Sequence, residues 1–204
     1  MSEAKSVGPR PYHHGDLTRA LVDAARRLLE SEGPSALSLR AVAREAGVSP
    51  AAPYHHFRDK AELLDAIANE GWDILGTQMA AAKAATTGMQ QLTALGIAYV
   101  CFARDNPALY RVMYDAARDK DEMPEEDSAY CMVRDTMIEN GADPEQDRHL
   151  ELAGVAAWCG AHGLAEMASF KQFDHLKATL GGERPFFEAV LNHMGLFPKQ
   201  HQDC

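Results

Sequence analysis

The sequence predicts an all-α protein in which an N-terminal three-helix, helix-turn-helix domain is joined to a larger helical domain. First, the segments between glycine and proline breaks are rich in Ala, Leu, Glu, Arg and Met, which favour helices, and they show no sustained alternation typical of strands. Second, a glycine turn at residue 47 links two short helical segments, as in a helix-turn-helix. Third, the formal charge changes sign near residue 60, which separates two parts of the chain.

The two parts differ in charge, and this difference suggests different partners. We expect residues 1–60 to form the helix-turn-helix domain, with residues 1–14 as an N-terminal arm, residues 61–198 to form the larger domain and residues 199–204 to form a tail. Residues 1–60 contain 9 Lys and Arg against 7 Asp and Glu, whereas residues 61–204 contain 11 against 23. Only the first part is therefore suited to approach a polyanion such as DNA.

The composition argues against a membrane protein, a secreted protein and a metalloprotein. No apolar run approaches the roughly 20 residues that span a bilayer, and the N-terminus lacks the apolar stretch of a signal peptide. The four cysteines lie far apart with no C-x-x-C pair, which argues against a zinc site or a disulfide framework. We therefore expect a cytoplasmic protein with reduced thiols and with no metal or cofactor.

The first two helices are bounded by capping and breaking residues. Asp16 is the expected cap of a first helix, which carries an apolar stripe and stops before Gly33–Pro34. Ser38 is the expected cap of a second helix, whose inner face is Leu39, Val42, Ala43 and Ala46. That helix should end at Gly47, because glycine readily adopts the left-handed conformation of a helix C-terminus.

The third helix is short and contains two prolines. Ser49 is its expected cap, with Pro50 at the first helical position, where the missing N–H costs nothing. Pro53 removes one ladder bond, so we expect a rigid, 3₁₀-like turn. Asp59, with Glu62 three residues later, forms a capping box that opens a fourth and longer helix.

Further helices follow in the second part of the chain. Breaks stand at Thr87–Gly88, Asn140–Gly141 and Gly181–Gly182 and in the acidic stretch DKDEMPEED. Asn106–Pro107 and the segment Asp143–Gln146 resemble helix starts with a cap and a proline. The helix predicted from Pro144 to about Phe170 is apolar on several faces, so neighbouring helices should cover it on more than one side.

The short third helix has the side chains of a DNA-reading helix. The major groove, about 12 Å wide, accepts a helix whose facing side chains let the backbone approach closely, and small residues meet this requirement. Tyr54 and His55 follow with polar groups that can reach a phosphate or a base edge, and Lys60 lies at the positive end of the next helix. A tight helical hairpin within a protein core is the alternative. The candidate DNA-binding residues are Arg40, Ser49, Pro50, Ala51, Ala52, Tyr54, His55 and Lys60.

The N-terminal arm is a second candidate for contact with DNA. Its basic and proline-stiffened segment carries Lys5, Arg10, His13 and His14. Such arms enter an adjacent minor groove in some proteins, and a disordered tail is the alternative.

Residues 12–72 resemble the N-terminal domain of the TetR family of bacterial transcriptional regulators. The resemblance lies in the segment LSLRAVAREAGVSPAAPYHHFRDKAELL, with its A-x-x-A-G-V-S turn and its Y-x-x-F pair, Tyr54 and Phe57. It implies a homodimer that reads a palindromic operator on double-stranded DNA, with Tyr54 and Lys60 on phosphates and Phe57 in packing. The sequence departs from the commonest form of the family at Ala52–Pro53, where Thr-Leu often stands.

The segment AWCGAHGLAEM resembles the W-x-x-x-H-G signature of one class of TetR-family C-terminal domains. Trp158 and His162 are four residues apart and share a helix face, and Gly163 follows. The resemblance implies that residues 61–198 bind a small effector and form the dimer through their last two helices. Cys159 and His162 form half of a metal-binding spacing, but no second Cys/His pair stands nearby.

Aromatic and methionine residues are the candidates for an effector site, with ordinary core packing as the alternative for each. Their soft side chains suit an apolar or aromatic effector. The candidate effector-binding residues are Tyr99, Phe102, Tyr110, Met113, Trp158 and His162.

The function predicted from these features is that of a repressor released from its operator by a small molecule. A second hypothesis keeps DNA binding and makes oxidation of Cys101, Cys131 or Cys159 the signal. A third hypothesis is an enzyme. It would use His162 as a catalytic base, paired with the Glu166 carboxylate on the next helical turn. No catalytic motif supports this third hypothesis.

Overall fold

The structure, a computed structural model, describes residues 14–117 and 128–194, and these are folded into nine α-helices and two short 3₁₀ helices. No strand occurs among these residues, so the predicted all-α class is confirmed. The helices are α1 His14–Glu32, α2 Leu39–Glu45, a 3₁₀ helix Ala52–His55, α3 Lys60–Ala84, α4 Gln90–Asp105, α5 Pro107–Ala117, α6 Ala129–Glu139, α7 Asp147–Met167, a 3₁₀ helix Lys171–Phe173, α8 Asp174–Thr179 and α9 Glu183–His193.

The chain divides into two compact units between Ile67 and Ala68. Helix α3 begins in the first unit and ends in the second. The predicted functional division at residue 60 stays a prediction. Residues 1–13 of the predicted arm, with Lys5, Arg10 and His13, lie outside the described residues, as do the predicted tail and the acidic stretch. His14, the last residue of the predicted arm, is the first residue of α1.

The first unit packs α1 against α2 and the 3₁₀ helix around a small apolar core. Helix α1 begins at His14, so the predicted cap at Asp16 is wrong. Ser38 caps α2 as predicted, since its Oγ accepts the N–H of Ala41 at 3.1 Å. Gly47 has φ +69°, the left-handed conformation expected at the end of this helix. The buried side chains include Leu21, Ala24, Ala25, Leu28, Val42, Phe57 and Leu63.

Pro53 determines the form of the third helix. It has no N–H, so it cannot form the α-helical bond to the carbonyl of Ser49. Instead, Ser49 O accepts the N–H of Ala52 at 3.0 Å, and Ala51 O accepts the N–H of Tyr54 at 3.2 Å. The predicted 3₁₀-like turn is therefore confirmed, whereas the predicted cap by the Ser49 side chain is wrong, because the helix begins two residues after Pro50.

A capping arrangement starts α3 as predicted, with one difference. The Asp59 carboxylate accepts the N–H of Glu62 at 2.9 Å. The Glu62 carboxylate accepts the N–H of Arg58 at 2.7 Å and a second bond from the Arg58 guanidinium at 3.1 Å. The return bond therefore reaches one residue before the cap and orders the chain between the 3₁₀ helix and α3.

Helix α4 lies at the centre of the second unit and packs against α5, α6, α7 and α9. Gly96 allows this close packing, since a Cβ there would lie 3.0 Å from Leu191 Cδ1 of α9. Large buried side chains fill the space between these helices, among them Leu92, Leu95, Val100, Phe102, Leu109, Phe187 and Leu191. No helix of residues 14–117 and 128–194 combines the length and the apolar character needed to cross a membrane.

The predicted helix starts in this unit are partly confirmed. Helix α5 begins at Pro107, but the Asn106 side chain donates to the carbonyl of Phe102 at 3.0 Å and so closes the end of α4. Helix α7 begins at Asp147 rather than Pro144, because the Asp143 carboxylate accepts the N–H of Glu145 at 3.0 Å and forms a turn instead. It ends at Met167, before the predicted Phe170.

Candidate DNA-binding surface and effector site

The candidate DNA-reading residues form an exposed surface on the 3₁₀ helix and the turn before it. Two buried residues, Pro53 and Phe57, anchor this segment in the core of the first unit. The side chain of Tyr54 is 53% exposed, and His55 is exposed beside it. The small residues Ser49, Pro50 and Ala51 are exposed, and Ala52 is half-buried. The segment therefore presents small side chains and one aromatic hydroxyl to the outside.

The neighbouring cationic side chains differ in their hydrogen bonds within the protein. Arg40 is exposed on the first turn of α2. Lys60 is also exposed, at the first position of α3, and its Nζ donates to the carbonyl of Pro34 at 2.9 Å. This bond holds the ammonium group against the loop between α1 and α2. His56, for which the sequence predicts no role, lies 2.9 Å from Thr18 through Nδ1 and Oγ1 and so ties the 3₁₀ helix to α1.

Five side chains in the second unit form a hydrogen-bonded group, which we name the hydroxyl chain. It consists of Trp158 and His162 from α7, Tyr99 from α4, and Tyr110 and Tyr114 from α5. The indole N–H of Trp158 donates to the Tyr114 hydroxyl at 3.0 Å, and the Tyr114 and Tyr99 hydroxyls are hydrogen-bonded to each other. The Tyr99 and Tyr110 hydroxyls are 3.0 Å apart, and His162 Nδ1 lies 2.5 Å from Tyr110 and 3.1 Å from Tyr99.

The same side chains pack ring against ring, together with Trp72 of α3. The Trp72 ring meets Tyr114 edge-on at a centroid distance of 5.4 Å, and it lies 6.2 Å from the Trp158 ring at a tilt of 30°. The Tyr114 and His162 rings are 4.5 Å apart. Tyr99 meets Trp158 edge-on at 5.0 Å. Such contacts add stability beyond the burial of the rings. Both tryptophans of the chain belong to this cluster.

Burial keeps the three tyrosine hydroxyls protonated. It raises the pKa of Tyr114 to about 12, and it also raises the pKa of Tyr99 and of Tyr110. The Glu166 carboxylate adds to the increase at Tyr110 and Tyr114, because it repels a phenolate. The hydroxyls therefore act as neutral hydrogen-bonding groups.

A small apolar cavity of about 10 Å³ lies next to the hydroxyl chain. This is close to the space that a single water molecule needs. Tyr99 and Trp158 belong both to the cavity wall and to the hydroxyl chain. The lining residues are Met79, Leu92, Leu95, Gly96, Tyr99, Val133, Ala157, Trp158 and Ala161.

The structure brings four of the six candidate effector residues together. Tyr99, Tyr110, Trp158 and His162 are members of the hydroxyl chain. Phe102 is buried in the core around α4, and the buried Met113 packs against Gly71 of α3. The sequence reasoning does not identify two members of the cluster, Tyr114 and Trp72. Tyr114 follows Tyr110 at the i, i+4 spacing that places both on one face of α5, and this spacing could have identified it; no local pattern identifies Trp72.

The cysteines differ in exposure. Cys101 and Cys131 are half-buried, and Cys159 is exposed. Burial raises the pKa of the Cys101 thiol, which lowers the fraction of reactive thiolate. Within residues 14–117 and 128–194, no group of three or more His, Cys, Asp or Glu side chains could hold a metal ion.

Comparison with known proteins assigns the chain to a family. A model described as bacterial regulatory proteins, tetR family, matches residues 21–67, and a model described as the tetracyclin repressor-like C-terminal domain matches residues 92–194. The chain is 30% identical over 177 residues to the HTH-type transcriptional regulator YobS of Bacillus subtilis, and the match covers 85% of this chain and 92% of YobS. The chain belongs to the TetR family of transcriptional regulators.

Further similarities to this TetR-family chain agree with the assignment. The HTH-type transcriptional regulator BetI of Rhizobium meliloti is 35% identical over 124 residues, which cover 57% of this chain and 58% of BetI. A solved structure of a protein of unknown function from Rhodococcus sp. RHA1 is 29% identical and superimposes with a TM-score of 0.72 over 91% of this chain and 97% of that one. The resemblance seen in the sequence is confirmed, and the TetR-family chain is a DNA-binding transcriptional regulator.

Proposed function

We propose that this TetR-family protein is a homodimeric repressor that leaves a palindromic operator when a small apolar or aromatic molecule binds to its second unit. The observation that carries the proposal is the exposed surface of the 3₁₀ helix. Tyr54 is 53% exposed there, although the residue before it, Pro53, is buried. A helical hairpin within a protein core would bury Tyr54, so the exposure of this residue favours a surface that is available to a partner.

Contacts to DNA follow from this arrangement. Pro50, Ala51 and Ala52 let the backbone approach the floor of the major groove, and their apolar groups suit thymine methyls. Tyr54 and Lys60 donate to phosphates, and Arg40 and His55 extend the contact along the backbone or to base edges. Lys60 must then exchange its bond with the Pro34 carbonyl for one with a phosphate. Both groups are exposed, so the exchange costs little.

The effector site is proposed at the cavity and the hydroxyl chain. The cavity has an almost wholly apolar lining and ends at Tyr99 and Trp158, whose hydroxyl and indole N–H are already hydrogen-bonded. Pockets of this kind, apolar with a few fixed polar groups, are typical of small-molecule sites. At about 10 Å³ the cavity is too small for an effector, so binding must displace neighbouring side chains. This displacement links occupancy to a change in conformation.

A second copy of the chain is the proposed cover for an apolar stripe on α7. Leu152 and Val155 are 61% and 46% exposed, and Met167, 44% exposed, lies further along the same helix. Cys159 and Gly163 complete the stripe at spacings of four residues, and both are exposed. Helix α8 has only six residues. We therefore place the dimer contact on α7 rather than on α8, with α9 as the second helix of each protomer.

Release from the operator is proposed to be a shift between two populations of the dimer. Helix α3 carries Lys60 at its start and Trp72 three turns later, within the ring cluster. An effector that moves Trp72 therefore acts on the same helix as the proposed phosphate contact. It would favour a spacing of the two reading helices that no longer matches half-sites separated by about 34 Å or a multiple of it. The protein would act in the cytoplasm, where the DNA is.

Selection of genomic DNA fragments by the purified protein tests the proposal. The fragments bound most tightly should share an inverted repeat, and fluorescence anisotropy should show much weaker binding to a scrambled repeat of the same composition. Tyr54→Ala should weaken binding to the repeat, whereas Tyr130→Phe, which lies in the second unit, should not. Equal affinity for the selected and the scrambled DNA would contradict the proposal. A bound repeat that no small molecule releases would contradict only the effector-controlled part.

A further inference from the structure

We propose that the site at the hydroxyl chain selects a small apolar molecule carrying a hydrogen-bond donor, a hydroxyl or an amino group, and discriminates against carboxylates. The inference rests on the proposed function in one respect only, the placing of the effector at this cluster. It concerns ligand chemistry and can therefore be tested without DNA.

The hydrogen bonds of the hydroxyl chain run in one direction. The indole N–H of Trp158 can only donate, so the Tyr114 oxygen accepts from it at 3.0 Å. With His162 Nδ1 as the acceptor at the other end, Tyr114 donates to its other partner, Tyr99. Tyr99 donates to Tyr110 at 3.0 Å, and Tyr110 donates to His162 Nδ1 at 2.5 Å, the shorter of the two contacts to that nitrogen. This order gives every hydrogen one acceptor and places the imidazole hydrogen on Nε2.

The hydroxyl chain in this direction offers acceptors and has no spare hydroxyl hydrogen. Tyr110 and Tyr114 each use one lone pair and the hydroxyl hydrogen within the hydroxyl chain, and the second lone pair of each is left for a ligand. The Tyr99 oxygen, in contrast, already has three polar neighbours. A ligand O–H or N–H can bond to such a lone pair without disturbing the chain. At the tyrosine oxygens, a ligand acceptor must instead take a hydrogen from one link, which leaves the two polar atoms of that link facing each other without one. Leaving a buried polar group unsatisfied in this way is costly. The remaining N–H donor of the group, on Nε2 of His162, lies at the end opposite Trp158.

The charge close to the hydroxyl chain is negative. Glu166 is exposed on α7, one helical turn after His162, and its carboxylate raises the pKa of both Tyr110 and Tyr114, so its negative potential reaches their hydroxyls. The residues of the hydroxyl chain and of the cavity wall include no Lys or Arg. A carboxylate placed there would meet a like charge and no cation among these residues, whereas an ammonium group would be favoured.

The apolar part of the ligand belongs in the cavity. Leu92, Leu95 and Val133 line it, and Tyr99 and Trp158 form the boundary with the hydroxyl chain. A compact hydrocarbon body that enlarges this cavity lies next to the tyrosine oxygens. Such a ligand has one polar group at one end of an apolar body.

Titration with cyclohexane derivatives tests the proposal directly. Trp72 and Trp158 are the two tryptophans of the chain, so intrinsic fluorescence reports on this cluster, and the probes do not absorb in the same range. Cyclohexylmethylamine and cyclohexanecarboxylate share one body and both carry a charge, so their comparison separates the sign and the donor from the general cost of burying charge. Cyclohexylmethanol and its methyl ether form the neutral pair.

We expect the donor of each pair, the amine and the alcohol, to bind at least about tenfold more tightly than its partner. Carboxylate binding as tight as that of the amine would overturn the proposal. So would ether binding as tight as that of the alcohol, or the absence of any binding by both donor probes up to their solubility limits.

Two variants ask whether the hydroxyl chain causes the discrimination. Trp158→Phe removes the donor that sets its direction, so the chain can reverse and donate to a ligand, and the preference for donors should fall to about twofold or less. Tyr114→Phe breaks the same link while keeping the indole and should have the same effect. Tyr130→Phe removes a tyrosine hydroxyl outside the hydroxyl chain, on a ring that lies 5.8 Å from Trp158, and it should keep the full preference. Calorimetry measures the affinity of all three variants for the paired probes, and circular dichroism shows whether each variant is folded. A preference for donors that survives in both Trp158→Phe and Tyr114→Phe would overturn the proposal.

Release of the selected DNA repeat separates the two proposals. If carboxylates release the DNA and the donor probes do not, the repressor function stands and this inference is wrong. If the donor probes bind with the expected preference and no probe releases the DNA, the inference stands and effector control is wrong.

Discussion

Gly71 of α3 lies directly against the buried side chain of Met113 of α5. A Cβ added at Gly71 would lie 2.5 Å from the Met113 sulfur and 3.1 Å from Leu109 Cδ1, and the first of these distances is far below van der Waals contact. The absence of a side chain at this position therefore lets α5, which carries Tyr110 and Tyr114, pack closely on the helix that carries Trp72. We expect the position of Trp72 against Tyr114 to depend on this contact.

Gly71→Ala should destabilise the protein in spite of the better helix propensity of alanine. Met113 is completely buried, so it has to leave its preferred position, and overpacking of this kind costs about 1–3 kcal/mol. Gly76→Ala is the matched control on the same helix, since a Cβ there would meet nothing within 4 Å. It should stabilise the protein by about 0.5–1 kcal/mol, because alanine loses less backbone entropy. Urea unfolding measures both changes.

Truncating Met113 distinguishes overpacking from a general effect of the substitution. Met113→Ala should itself be destabilising, because it leaves a cavity. In its presence, however, Gly71→Ala should cost much less than in the parent, so the double-mutant cycle should give a favourable coupling energy. Additive effects of the two substitutions would show that the close approach is not the cause.

Two exposed cations should account for part of the salt dependence of DNA binding. Lys60→Gln and Arg40→Ala should each lower the magnitude of the slope of log K against log salt by about 0.9 for every phosphate that the cation neutralises, and a homodimer carries each cation twice. Arg27→Ala is the control, since that guanidinium lies 3.1 Å from the Glu45 carboxylate on the surface. It should leave the slope unchanged. A slope unaffected by Lys60→Gln would show that the lysine keeps its bond to Pro34 on DNA.

Features that act within a few residues could be predicted from the sequence. Ser38 bonds to the N–H three residues later, and Gly47 adopts the left-handed conformation in its own backbone, so both follow from residue type and position. The prediction for Asp143 is wrong although its bond is local. A carboxylate next to a proline can close a turn two residues later as readily as it can cap a helix, and nothing within the segment decides between the two.

The hydroxyl chain lies beyond the reach of such local reasoning. Tyr114 and Trp158 are 44 positions apart, and their hydrogen bond exists only because α5 and α7 both pack against α4. The sequence does identify Tyr99, Tyr110, Trp158 and His162 as candidates, because aromatic residues at helical spacing indicate a shared face. It does not predict which partners they bond to. The order of the hydrogen bonds, from which the ligand preference follows, requires the structure.

A single charge in the apolar stripe of α7 should separate the protomers. In a two-fold dimer this surface meets its own copy, so Val155→Glu places one carboxylate from each protomer in the interface. Sedimentation should show a monomer where the parent is a dimer. Thr77→Glu, at an exposed position of α3, is the control and should remain dimeric.

Cross-linking gives an independent test of the same face. Cys159 lies on the stripe, and in a chain with the other cysteines replaced by serine a short bis-maleimide should join the two protomers through it. A parent chain that sediments as a monomer, or a Val155→Glu variant that still sediments as a dimer, would contradict the proposed interface.

The buried hydroxyls should make the protein lose stability at alkaline pH. Burial raises the pKa of Tyr114 to about 12, above the ordinary value of 10.0, so between pH 10 and pH 12 the folded chain holds a proton that the unfolded chain releases. The free energy of unfolding therefore falls as pH rises through this window, by at most about 1.4 kcal/mol per pH unit for each such hydroxyl, and it is unaffected by this group below pH 10. Tyr114→Phe should reduce the fall, since it removes the group that binds the extra proton.

Phenolate absorbance measures the same ionisation directly. Part of the signal from the six tyrosines should appear only at high pH and together with unfolding. A single rise at the ordinary tyrosine pKa in the folded protein would show that the hydroxyls are open to solvent, and the one-directional chain would then have no basis.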